Sequence, residues 1–201
     1  SRSDPGGGRP VPASTVEPGN VYEDRRFDHL SRDGASLEAV AFQGCTFLRC
    51  SFVETIWRNC RFSDTLFCEC DLSLMRVVDS VFVTTRLEDS KVIGVNWTEA
   101  AWPAVRLGEP IAFARCSVSH STFLGLDLRR VSMRECAAVD VDFREADLRQ
   151  ADLRGSDLAE SLFQGANLSG ADLRGARNYQ IAAGRTTITR ARFSMPEALS
   201  L

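Results

Sequence analysis

A bulky apolar residue recurs at every fifth position of this chain, almost without a miss, from Leu37 to Leu173. That period matches neither the 3.6-residue turn of a helix nor the two-residue alternation of a strand. A short fixed repeat of this kind belongs to a solenoid, in which each turn of chain stacks on the turn before. The centres of the pentads run Leu37, Phe42, Phe47, Phe52, Trp57, Phe62, Phe67, Leu72, Val77, Phe82, Leu87, Val92 and Trp97, with Trp102 and Leu107 in the same phase. The phase then slips by one. The beat resumes at Phe113, Val118, Phe123, Leu128, Met133, Ala138, Phe143, Leu148, Leu153, Leu158, Phe163, Leu168 and Leu173, which makes 28 pentads with Ala138 as the one weak centre.

The position two before each centre is also regular, and mostly small: Ala35, Val40, Cys45, Cys50, Thr55, Cys60, Thr65, Cys70, then Cys116, Ser121, Cys136, Ala146, Ala151, Ser156, Ala166 and Ala171. Residues two apart on an extended segment face the same side. Both therefore point inward, and a narrow interior has room for one large side chain of the two. Gly44, Gly94, Gly125, Gly155, Gly165, Gly170 and Gly175 all lie two residues after a centre. A repeated corner with positive φ, as in a type II turn, accounts for that placement. Five residues thus make one side and one corner.

The segments Ala146-Asp147-Leu148-Arg149-Gln150, Ala151-Asp152-Leu153-Arg154-Gly155, Ala166-Asn167-Leu168-Ser169-Gly170 and Ala171-Asp172-Leu173-Arg174-Gly175 resemble the A-(D/N)-L-x-x motif of pentapeptide repeat proteins. The resemblance covers about two-thirds of the chain. It implies an all-β fold, a right-handed quadrilateral β-helix with twenty residues per coil. The 28 pentads then form 7 coils, a rod roughly 34 Å long at ~4.8 Å per stacked strand.

Residues 1–20, with three consecutive glycines and four prolines, are expected to be a disordered tail, 21–176 the β-helix, and 177–201 a C-terminal cap. Val21 to Leu30 is expected to cover the N-terminal end. Ile188 and Phe193 fall back in phase as a last partial coil. Ser194-Met195-Pro196-Glu197 then has the chemistry of a helix start, giving a small helical cap. The irregularity near 98–112 admits two readings, a single extra residue at Gly108-Glu109-Pro110 or a loop spanning Thr98 to Glu109. Gly94 to Pro103 is similar to a mid-rod irregularity in family members that confer resistance to gyrase poisons.

Six of the seven cysteines occupy the small inward position and read as small apolar residues, with Cys68 alone expected outside. No cysteine pairs with a histidine at zinc spacing, so no metal site is expected. Free inward thiols suit a reducing compartment, and the expected location is the bacterial cytoplasm. No apolar run approaches a membrane span. His29 and His120 are the two histidines. His120, flanked by Ser119 and Ser121, lacks an orienting acid in the sequence, so neither an enzyme activity nor a cofactor is expected.

The net charge is −3, but residues 33–172 carry 21 acidic and 14 basic side chains, while 173–201 carry five arginines against Glu197. At a twenty-residue spacing Glu69, Asp89 and Glu109 align, as do Asp79 with Glu99, Asp127 with Asp147, and Asp152 with Asp172. Arg134, Arg154 and Arg174 form a basic column beside the last pair. The resemblance implies that such carboxylate rows imitate DNA phosphates toward DNA gyrase or topoisomerase IV and protect it from quinolones or peptide toxins. Glu69, Asp89, Glu99, Glu109, Asp127, Asp147, Asp152 and Asp172 are the candidate contacts. The resemblance also implies a homodimer through the C-terminal end, assigned to Phe193, Met195, Leu199 and Leu201. The other reading of those four is a plug for the monomer's end. Direct DNA binding is not expected of an acidic rod. A protein-interaction scaffold with another partner remains the second functional reading.

Overall fold

The computed structural model describes residues 9–11, 16–102, 109, 111–182 and 184–195. Each pentad lays down a short extended segment and then turns. The turn is made by a left-handed residue two after the centre: φ is +50° at Asp64, +54° at Glu69 and +65° at Gly125. Type II-like corners close their own bond, as in Val131 N–H to the Leu128 carbonyl at 3.0 Å. Glycine is the low-cost choice there, yet aspartate, glutamate, arginine and histidine adopt the same φ. The strain of order 1–2 kcal/mol per such residue is tolerated because the coils above and below fix the backbone on both sides.

Four corners bring the chain back over itself, and every side becomes a parallel sheet. The first face stacks Val21–Glu23, Ala41–Gln43, Arg61–Ser63 and Val81–Val83. The second is a seven-stranded sheet running from Arg9–Val11 and Arg25–Asp28 to Ile111–Ala114 and Ser132–Arg134. The third is a ladder of single bridges, Ser31, Ser51, Asp71, Lys91, Ser117, Ala137, Asp157 and Arg177. On the fourth, Ser36–Glu38 pairs with Ile56–Arg58 and single bridges continue the ladder. The result is the four-sided β-solenoid that the five-residue beat predicts.

In-register stacking turns the sequence repeat into columns. Tyr22, Phe42, Phe62 and Phe82 stack face to face with ring centroids 5.4, 5.4 and 5.0 Å apart. Phe27, Phe47 and Phe67 do so at 4.7 Å. Trp97, Phe123, Phe143 and Phe163 form a third column. Nearly every described pentad centre is buried.

The inward small residues do more than fill space. Ser156 donates its hydroxyl to the Met133 carbonyl at 2.8 Å and accepts the Cys136 N–H at 3.0 Å. It thereby closes a corner in the coil beneath. Ser80 does the same between Trp57 and Cys60, and Ser161 between Ala138 and Val141. The Cys60 and Cys70 thiols donate to Leu37 and Phe47 in like manner. Cysteine, serine and threonine at this position therefore act as polar stitches between coils, a role beyond that of small apolar fillers. Burial pushes the Cys60 thiol above its ordinary value, and hydrogen bonding to Cys50, then burial, does so for Cys70. Cys68 is a correction: its register is outward, yet it is only 8% exposed.

The mid-rod irregularity is longer than one residue. Asp71 pairs with Lys91, 20 positions on, but Lys91 pairs with Ser117 and Leu87 with Phe113, 26 positions on. One coil thus holds six extra residues, which is one more than a pentad and hence appears as a one-step slip. The coil is regular to Ala101, whose N–H donates to the Ser80 carbonyl at 2.9 Å. Before that a 3-10 turn, Trp97–Glu99, is capped by the Asn96 side chain. The chain rejoins the second face at Ile111. The expected centre Leu107, with Gly108 and Pro110, lies outside the described residues.

Both ends depart from expectation. Tyr22 pairs with Phe42 and Phe27 with Phe47, so 21–30 is itself coil rather than a cover over it. Residues 9–11, expected to be part of a disordered tail, form a strand against Arg25–Asp28, and Val16 is buried. At the far end Ile188 and Phe193 do pack on the core, as Asn167 pairs with Thr187 and Asp172 with Arg192. The helix start expected at 194–199 falls largely outside the described residues.

Ser156→Ala should cost about 1–3 kcal/mol, because it leaves a buried donor and a buried acceptor of the neighbouring coil unpaired. Ser169→Ala, which removes a partly buried hydroxyl bonded to Asn167, should cost clearly less. Urea denaturation of the two variants checks the order; equal losses would refute the stitching role.

Candidate functional site

With the interior filled, recognition falls to the outward side chains, and their carboxylates divide into two kinds. Aspartates just before a centre lie on the faces and are clamped. Asp152 takes Nε and Nη2 of Arg154 at 2.8 and 2.7 Å, and Asp172 takes Arg174 at 2.9 and 2.6 Å. Asp127 with Arg129, Asp142 with Arg144 and Asp147 with Arg149 repeat the fork. The same carboxylates accept the N–H two residues on, as in Arg154 N–H to Asp152 Oδ1 at 3.3 Å. This is the Asx turn that starts the corner. These aspartates therefore belong to the scaffold, and their negative charge is matched on the spot.

Acids at the corners are different. Glu54, Asp64, Glu69 and Asp79 are exposed with positive φ, as are Glu135, Glu145 and Glu160 further along, and none of the seven makes an ion pair. A corner side chain projects along the diagonal of the square, away from the neighbouring faces. This is where uncompensated negative charge sits.

The eight candidate contacts separate accordingly. Asp127 stacks on Asp147 and Asp152 on Asp172 as the spacing predicts, but all four are clamped by arginines. Glu99 is held by Arg76 at 3.2 Å. The column of Glu69, Asp89 and Glu109 is a correction. Because the long coil adds six residues, Arg115 rather than Glu109 lies over Asp89, and its Nε and Nη2 donate to the two carboxylate oxygens at 2.8 Å each. Glu109 lies instead near Arg134 and Asp152, and burial raises its carboxyl above the ordinary value. Of the eight, Glu69 is the corner acid that carries no ion pair. Of the other corner acids, Glu54, Asp64, Glu135 and Glu145 are not singled out by the sequence reading, although their place two after a centre, without an arginine two further on, marks them.

His120 Nδ1 lies 2.9 Å from Asp140, so it does have an acidic partner. The flanking serines are nonetheless engaged elsewhere: Ser121 points inward and donates to the Val92 carbonyl, and Ser119 donates to Ala137. No group of three or more metal-ligating side chains is found among the described residues, and no helix of the described chain is long and apolar enough to cross a membrane. Of the residues assigned to a dimer contact, Phe193 packs on Tyr179 at 5.7 Å and Met195 is 69% exposed. Leu199 and Leu201 lie outside the described residues.

The arginine forks hold Asp142, Asp147, Asp152 and Asp172 below the usual carboxylate range, and Asn178 with Arg177 does so for Asp157. A carboxyl with a depressed folded-state value stabilises the fold above its unfolded value, near pH 4 for aspartate, and the contribution is lost as pH falls through the folded value. Exposed pairs are worth about 0–1 kcal/mol each. The urea midpoint should therefore decline gradually below about pH 4, and Asp152→Asn should lessen that decline. A midpoint indifferent to acid would show that the forks add nothing to stability.

Comparison with known proteins agrees with this architecture. A family profile described as Pentapeptide repeats matches residues 113–150 and 142–177, and a second, described as Pentapeptide repeat region, matches 40–112. A search of curated proteins returns no match. Among solved structures, the chain is similar to full-length QnrB1, a plasmid-mediated fluoroquinolone resistance protein, at 16% identity and a TM-score of 0.54, over 96% of this chain and 92% of that one. HetL, a pentapeptide repeat protein involved in heterocyst differentiation regulation in the cyanobacterium Nostoc sp., is matched at 16% identity and a TM-score of 0.41, over 92% and 93%. The profile matches over most of the chain, together with the four-sided coil they describe, show that this protein belongs to the pentapeptide repeat family.

Proposed function

We propose that this protein binds DNA gyrase or topoisomerase IV and protects the enzyme from poisons such as quinolones or peptide toxins. The observation that carries the reading is the end-to-end likeness to a fluoroquinolone resistance protein, over 96% of this chain and 92% of that one. It is the whole rod that is matched, and the rod is interrupted by one coil six residues longer than the rest. Recognition is electrostatic. Corner carboxylates such as Glu69, Asp79 and Glu145 present negative charge in the positions of a phosphate backbone, and a positively charged DNA groove on the enzyme steers the rod into place. The clamped face aspartates Asp127, Asp147, Asp152 and Asp172 keep the coil rigid for that encounter. Phe193 and Met195, with Leu199 and Leu201, join two copies end to end, in a bacterial cytoplasm. No catalytic step is required of the protein.

The second reading, a scaffold for another protein partner, draws on the generality of the coil, since fold alone does not give function.

A supercoiling assay separates the two. The purified protein should restore gyrase supercoiling in the presence of a fluoroquinolone or a peptide poison. Replacing Glu69, Asp79 and Glu145 together by glutamine should weaken the rescue about tenfold, the scale of a 1.4 kcal/mol loss in binding, without lowering thermal stability. Absence of rescue at every concentration, with both kinds of poison, would move the assignment to the scaffold. Light scattering should give a dimer that Phe193→Asp dissociates.

A further inference from the structure

The charge of the whole chain conceals a local concentration of the opposite sign. Residues 173–195 carry five arginines and no acidic side chain. Two of these, Arg174 and Arg192, lie on the second face: Arg134 and Arg154 continue the Arg174 column toward the middle of the rod, and Arg192 stacks over Asp172 beside it. Arg130 and Arg190 occupy the corner that leads into this face, both with positive φ. All six are exposed. The carboxylates facing them are Asp152 and Asp172, the forked partners of Arg154 and Arg174, with Glu135 at the far corner and Glu109 beside Arg134.

The forks do not exhaust the arginines. A guanidinium has five N–H donors, and the carboxylate takes two of them, leaving the outer edge free to bond another acceptor. The aspartate also fixes the plane of its arginine, so little side-chain freedom remains to be lost when a ligand arrives. Arg130 is similarly oriented by Gln150, at 2.9 Å from Nε, while Arg190 and Arg192 make no ion pair. A shallow groove of about 310 Å³ opens between Arg134, Arg154, Arg174, Glu135 and Gly155. Its floor is low because Gly155 and Gly175 stack at the corner, a Cβ on Gly175 lying 3.7 Å from the Gly155 backbone.

We propose that the C-terminal half of the second face is a binding surface for the phosphate backbone of nucleic acid, used without regard to base sequence. A protein partner fits less well. The outward residues between the arginines are Ala112, Ala114, Ser132 and Ser194, which offer no aromatic or large aliphatic anchor of the kind that carries protein interfaces. Of the exposed large apolar residues of the rod, Val21, Leu74, Leu124 and Leu162 lie off this face, and Met195 alone borders it, at the far corner after Ser194. A column of three arginines, Arg134, Arg154 and Arg174, spans about 10 Å, two strand spacings, with Arg192 beside it in the next coil, and faces a duplex that offers one charge per ~1.7 Å of its axis. The surface is independent of the topoisomerase reading, and either can fail without the other.

The test is fluorescence anisotropy of the intact protein with a short fluorescein-labelled mixed-sequence DNA duplex, titrated at increasing KCl. Binding should appear at low salt, with a dissociation constant on the order of 1–100 µM at physiological salt and a log–log salt slope of about −3 to −5. Arg190→Gln/Arg192→Gln disturbs no ion pair, and should weaken binding several-fold for every duplex tried and reduce the slope by about 2. Arg134→Gln/Arg154→Gln/Arg174→Gln should weaken it further. Arg144→Gln, a fork on the fourth face, should leave binding unchanged, and circular dichroism should show the same fold in all variants. Failure to bind at low salt, or equal binding by the double variant and the wild type, overturns the proposal. So does polyglutamate competing charge for charge as well as DNA, which would assign the face to an acidic protein.

Discussion

In-register stacking of one coil on the next is the constraint from which every other property of this protein follows. A parallel strand pair fixes the spacing at ~4.8 Å and sets like residues over like. Any side chain repeated at twenty residues is thereby forced into contact with its own kind. Aromatic residues answer well to that condition, because phenyl rings 4.7–5.4 Å apart and nearly parallel, as along the Phe27 and Phe42 columns, lie at favourable stacking distance. Charged residues answer badly. A column of aspartates such as Asp127 and Asp147, or Asp152 and Asp172, would repel itself along the rod. The arginine two residues on cancels that repulsion within each coil, which is why the D-x-R fork recurs where face aspartates stack.

The same constraint explains the polar interior. A corner whose carbonyl and N–H do not bond each other would leave both buried and unpaired, a cost of about 1–3 kcal/mol for each group. A hydroxyl or thiol twenty residues later lies directly above and reaches both groups, as Ser156 does for Met133 and Cys136. Cooperation between coils thus extends beyond the strand ladder to side chains, and each coil completes the backbone bonding of its neighbour.

The architecture was legible in the sequence because it depends on period alone. The inward centres, the small inward position and the left-handed corner were all readable from Leu37 onward. What the period cannot carry is the length of the insertion: six extra residues and one extra residue leave the same phase, so spacing alone sets Glu109 over Asp89, where Arg115 belongs. At the N-terminal end Tyr22 and Phe27 were in phase. The beat was obscured there by Arg32 at a centre position, where it reaches the Val16 carbonyl and closes the end of the core. The candidate surface was legible in part. Twenty-residue spacing yields the columns away from the long coil, but whether a carboxylate is clamped or bare depends on the arginine two residues away, and this D-x-R relation is visible only once face and corner positions are kept apart. Glu69, Asp79 and Glu145 pass that filter, whereas Asp147 and Asp172 do not.

Separating faces from corners also shows how one rod can present two signs of charge. The corners project outward and carry bare acids around much of the length, while the second face turns basic toward the C-terminal end, from Arg134 to Arg192. Acid and base still meet in some columns, as where Arg115 lies over Asp89 and Arg192 over Asp172. Here the columns are inherited coil by coil, so a single substitution at one pentad position extends or breaks a stripe of charge without touching the core. The outer surface can therefore change while the stitched and stacked interior holds the shape, and a uniform repeat is compatible with a rod whose sides recognise different chemistry.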